Sequence, residues 1–70
     1  MKYPILRPNE VISALSRKGF YFKSRKGSHV KYTNRNFTVM IPMHDTITRG
    51  MLKSILIQAN IELNEFLNLF

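Results

Sequence analysis

Seventy residues with 44% hydrophobic side chains suit one small domain folded on a single core and exclude a disordered chain. No cysteine occurs, which excludes disulfides and thiolate-held zinc, and no uncharged apolar stretch nears the roughly 20 residues of a membrane span. Eleven Lys and Arg against four Asp and Glu give a formal charge of +7. That charge is segregated: every Lys and Arg lies at or before Lys53, alongside only Glu10 and Asp45, and after it stand only Glu62 and Glu65. Such a body attracts polyanions, whether RNA, DNA, an anionic membrane or an acidic protein. The start, Met1 to Pro4, lacks the apolar core of a secretory signal, so the expected compartment is the cytoplasm.

In chain order, Arg7-Pro8-Asn9-Glu10 reads as a helix start. Proline suits the first helical position, where its missing N–H would have no partner, and Glu10 suits the positive end of the helix dipole. Val11, Ile12 and Leu15 follow at helical spacing, and Gly19 can take the left-handed conformation that ends a helix, so the first helix is expected over Pro8 to Lys18. The period then falls to two. Phe20 and Phe22, Val30 and Tyr32, and Phe37, Val39 and Ile41 each alternate with more polar neighbours, predicting three strands joined by turns at Arg25-Lys26-Gly27 and Asn34-Arg35. After Pro42-Met43-His44-Asp45 a second helix is expected with Thr48 as its cap, Leu52, Ile55, Leu56 and Ala59 as its buried stripe and Asn60 at its end. Glu62 to Phe70 reads as a short third helix whose Leu63, Phe66, Leu67 and Phe70 complete the core.

Register follows from requiring opposed residues to share a face. A three-residue first loop opposes Ser24 to Ser28, Lys23 to His29, Phe22 to Val30 and Tyr21 to Lys31. A two-residue second loop opposes Tyr32 to Phe37, Lys31 to Thr38, Val30 to Val39 and His29 to Met40. Phe20, Phe22, Val30, Tyr32, Phe37, Val39 and Ile41 then line the helix side, and Tyr21, Lys23, His29, Lys31, Thr38 and Met40 the open side. A tighter first loop would mix these faces, which argues against it. The expected class is α+β in the order α-β-β-β-α, a three-stranded antiparallel meander covered by helices on one face. Residues 1–70 make one domain, with 1–7 as an N-terminal extension and 62–70 as the C-terminal helix.

On the open side this register sets His29 among Lys23 and Lys31, with Arg25 and Lys26 in the adjoining loop. Neighbouring cations disfavour a protonated imidazole, and the neutral ring is the form that acts as a general base. With RNA the proton to remove is that of the ribose 2′-OH, whose oxygen then attacks the adjacent phosphorus while Lys or Arg stabilises the developing charge. DNA lacks that hydroxyl, so DNA alone is not an expected substrate. Metal-dependent nucleases need carboxylates, and the predicted sheet has none: Glu10, Glu62 and Glu65 fall on helices and Asp45 stands alone beside His44. No metal or other cofactor is expected. Arg49 and Lys53, outside the buried stripe of the second helix, are further candidate phosphate contacts, and Tyr21 is a candidate for stacking on a base.

Four blocks stand in order: Lys18-Gly19-Phe20, Lys26-Gly27-Ser28-His29, Val39-Met40-Ile41-Pro42-Met43-His44, and Thr48-Arg49-Gly50-Met51-Leu52 through Ile55-Leu56-Ile57-Gln58-Ala59. Together they resemble the HicA toxins, the mRNA interferases of HicA–HicB type II toxin–antitoxin systems, over about Pro8 to Leu67. The resemblance implies a fold like that of double-stranded-RNA-binding domains, endonucleolytic cleavage of messenger RNA, and inhibition by a HicB-type antitoxin that covers the active face. It places His29 at the family's catalytic histidine and His44 at a second histidine, a proton donor or a positioning residue. Asn60 stands where many relatives have Gly, a departure that the left-handed tolerance of Asn accommodates. Two other readings use the same residues: a non-catalytic RNA-binding module, and a protein-interaction domain whose basic face meets only an acidic partner.

Overall fold

The computed structural model describes residues 3–70; Met1 and Lys2 of the expected N-terminal extension lie outside the described residues. The elements are α1 (Pro8–Ser16), β1 (Tyr21–Lys26), β2 (His29–Thr33), β3 (Thr38–Pro42), α2 (Arg49–Ala59) and α3 (Leu63–Leu67). The strands form one antiparallel sheet in the order β1-β2-β3. The α-β-β-β-α order and α+β class are as expected, with α3 appended.

Local chemistry sets the helix ends. Pro8 opens α1, and the Glu10 carboxylate accepts a hydrogen bond from the Arg7 N–H at 2.8 Å. The helix stops at Ser16 instead of reaching Lys18. Gly19, at φ +85°, turns the chain back so that the Phe20 N–H bonds to the Leu15 carbonyl at 3.1 Å. Thr48 caps α2 by accepting from the Met51 N–H at 3.3 Å. Asn60 ends it in the left-handed conformation, φ 57°, with the Ile61 N–H on the Leu56 carbonyl.

One face of the sheet and the apolar sides of the helices share a buried cluster. Val30, Val39 and Ile41 come from the sheet, Val11, Ala14 and Leu15 from α1, Leu52, Ile55, Leu56 and Ala59 from α2, and Phe66 from α3. Ile47 belongs to it too, and its backbone bridges that of Leu6, tying the N-terminal segment to the loop before α2. Neither Ile47 nor this bridge was legible in the sequence pattern. Phe70, expected in the core, is 59% exposed and packs only edge-on against Phe66. The third helix ends at Leu67, shorter than predicted; Leu63, Leu67 and Leu69 pack against the core while Phe70 stays largely outside it.

Both hairpin registers differ from expectation. The first turn is the tight two-residue one, Gly27-Ser28, with Lys26 opposite His29 and Arg25 opposite Val30. A bulge between Phe22 and Ser24 then absorbs one residue, so Phe22 opposes Tyr32 and the alternation is restored. The argument against a tight loop assumed an unbroken ladder, and the bulge at Lys23 removes that assumption. The second pairing is shifted by two: Tyr32 opposes Val39, Lys31 opposes Met40, and Asn34 bonds to Phe37 across the turn Arg35-Asn36. The Asn34 side chain accepts from the Asn36 and Phe37 N–H groups, and Arg35 takes φ 84°. A shift of two preserves which face each residue occupies. Phe22 and Phe37, expected in the core, are 55% and 38% exposed. Phe22 sits on the outer strand beyond the helices' cover, edge-on to Tyr32 with ring centroids 5.9 Å apart, and Phe37 lies before β3 begins.

Candidate functional site

His29 is the first residue of β2, held between Lys26 of β1 and Pro42 of β3. Beyond the ladder, the Met43 N–H donates to the Ser28 carbonyl at 2.6 Å, which turns the chain after β3 back toward the start of β2. His44 is the next residue. Its ring meets that of His29 nearly at right angles, 86°, with centroids 6.2 Å apart, and both residues are exposed. Sequence alone gave each histidine separately; the loop geometry makes them a pair.

Two concavities meet at His29. The larger, about 540 Å³, is lined by Ser24, Lys26, His29, Lys31 and Met40 on the open face of the sheet. The smaller, about 240 Å³, runs between β3 and α2, where His29, Met40 and His44 face Met51, Ser54 and Gln58. Gln58 links its two walls: its side-chain oxygen accepts from the Met40 N–H of β3 at 3.1 Å and its amide nitrogen donates to Ser54 Oγ at 3.3 Å.

The six candidate cations separate into different surroundings. Lys26 and Lys31 line the larger concavity with His29. Lys23, expected directly across from His29, is instead the residue taken up by the bulge, and Lys26 holds that position. Arg25 pairs with Val30, hence lies on the opposite face from His29, and its Nε donates to the Gly27 carbonyl at 2.9 Å. Arg49 turns to the N-terminal segment, Nε donating to the Tyr3 carbonyl at 2.8 Å. Lys53 is exposed on α2, and Tyr21 is exposed on β1. Among the described residues Lys18–Glu65 is the single ion pair, so no carboxylate neutralises Lys26 or Lys31. Nor, among the described residues, do three His, Cys, Asp or Glu side chains gather as metal ligands.

The sheet face thus carries a histidine pair beside lysines that no carboxylate among the described residues neutralises. Residues 8–61 match the family model described as HicA toxin of bacterial toxin–antitoxin. The chain belongs to the HicA toxin family. Comparison with curated proteins returns no match. The HicA segment runs from the start of α1 to just past α2, so it contains both histidines and both concavities, while α3 follows it. Membership carries the toxin role of a toxin–antitoxin system and, with it, an antitoxin partner. Among the described residues no helix of this HicA chain is long and apolar enough to cross a membrane. Sequence reasoning had not singled out Ser24, Met51, Ser54 or Gln58. The α2 residues enter the site only because α2 lies along β3, a long-range placement that no local pattern encodes.

Proposed function

We propose that this HicA toxin is an endoribonuclease that cleaves messenger RNA without a metal ion, with His29 as general base, and that a HicB-type antitoxin neutralises it by covering the same face. The observation that carries this reading is the perpendicular His29–His44 pair at the lip of a concavity lined by Lys26 and Lys31. His29 takes the proton of a ribose 2′-OH, and the oxygen attacks the neighbouring phosphorus. The bond from phosphorus to the 5′-oxygen breaks, and that oxygen leaves with a proton, for which His44 is the leading donor. The products are a 2′,3′-cyclic phosphate and a 5′-hydroxyl. Lys26 and Lys31 stabilise the charge that builds on the phosphate oxygens. Lys23 and Lys53, outside the concavities, contribute to holding the strand as it passes.

The test is RNA cleavage in EDTA by the wild type and His29→Ala. Positioned acid–base catalysis contributes about 10²–10⁴-fold, so the variant should lose activity on that order while keeping salt-dependent RNA binding through its lysines. His29 is exposed, so the variant should fold normally. Cleavage abolished by chelator, undiminished cleavage by His29→Ala, or products without cyclic or 3′-phosphate ends would each overturn the mechanism. Binding without cleavage by the wild type would instead favour an RNA-binding module.

A further inference from the structure

The two concavities share His29 and Met40 but differ in chemistry. Lys26 and Lys31 make the larger one cationic, whereas no Lys, Arg, Asp or Glu lines the smaller one, where Met51, Ser54 and Gln58 face the histidines. A strand lying across His29 with its phosphate against the lysines has to put the attached base somewhere, and the side without lysines is the β3–α2 groove. We infer that this groove is a subsite for one unstacked nucleobase adjoining the scissile phosphate, an inference that rests on the proposed RNA-cleaving site.

The groove's size and polar atoms fit such an occupant. Its volume, about 240 Å³, falls below the roughly 300–1,000 Å³ of pockets that enclose whole drug-sized ligands. Single-stranded RNA is read by splaying bases into such sites, and the Met40 and Met51 thioethers are polarisable partners for a ring. The orientation of the Gln58 amide is fixed, because the Met40 N–H can only donate and so must face the amide oxygen. The amide nitrogen therefore faces Ser54, spending one N–H there and keeping a second. The Ser54 oxygen accepts that bond and retains its own O–H. Two donors on the α2 wall of the groove favour a base that presents a carbonyl acceptor.

Methionine-methyl and histidine-ring NMR on the full chain tests this, using the four ribonucleoside 3′-monophosphates against ribose 5-phosphate, which has no base. His29 should shift with all five ligands. The Met51 methyl, which lines only the groove, should shift with nucleotides alone and most with those whose base carries a carbonyl. Ser54→Leu, which fills the groove from an exposed position on α2, should abolish the Met51 response and leave that of His29. A Met51 shift equal for ribose 5-phosphate and nucleotides, or none while His29 responds, overturns the subsite and leaves the cleavage site standing. Silence of His29 toward every ligand overturns the RNA-cleaving site and the subsite with it.

Discussion

At the β3 edge the Met40 N–H is met by the Gln58 amide and α2 lies alongside the strand, whereas β1 runs exposed from Tyr21 to Lys26. An open strand edge is a template for pairing with another chain, and these two edges are kept from it differently. The β3 edge is covered. The β1 edge relies on Lys23, Arg25 and Lys26 and on the bulge that interrupts its ladder. Between them, His29 sits on the central strand, fixed from both sides by pairing. The difference teaches that one helix both seals an edge and builds half of a groove, while the other edge carries charge in place of cover.

The largest way to break this contrast is to loosen the covered edge. Leu52 is fully buried on α2, and Leu52→Ala should destabilise the fold by about 2–5 kcal/mol through lost burial and the cavity left behind. Denaturant unfolding measures that loss, and hydrogen exchange should show the Met40 amide opening sooner than in the wild type. Removing charge from the open edge should act on solubility, not on stability. Lys23→Val should change unfolding free energy by no more than about 0.5 kcal/mol, yet concentration-dependent light scattering should rise as the edge becomes apolar.

The smallest effect lies outside both edges, at Lys18–Glu65, which joins the end of α1 to α3. The hydrogen bond from Lys18 holds the Glu65 carboxyl below its ordinary value of 4.5. A lowered carboxyl stabilises the fold above the unfolded value, and that contribution is lost as pH falls through the folded one. Thermal unfolding of the wild type and Glu65→Gln should therefore differ slightly at neutral pH and converge in acid, with added salt shrinking the gap because the pair is exposed.

Much of this molecule is written locally. Pro8, Thr48 and Asn60 each mark a helix end by chemistry confined to a few residues, and the sheet's two faces follow from alternation that survives a two-residue slip. Register was less legible. The Lys23 bulge has no sequence signature, and only the observed bonds of Asn34 reveal that the second turn belongs at Arg35-Asn36. The tight Gly27-Ser28 turn and the bulge exchanged Lys23 for Lys26 opposite His29, and set Arg25, expected in the loop, opposite Val30. Of the candidate site, His29 was visible because its neighbours are sequence neighbours. Its meeting with His44 and the contribution of Gln58 depend on how a loop and a helix return to the sheet, which distant contacts decide.

The Leu6–Ile47 bridge gives the molecule a structural boundary wider than its family match. The segment matched to the family opens at residue 8 and closes at 61, yet a backbone pair just upstream and the fully buried Phe66 just downstream both secure the same cluster. The unit that shares the core therefore exceeds the matched segment, and trimming the chain to residues 8–61 would remove fasteners along with the trimmings.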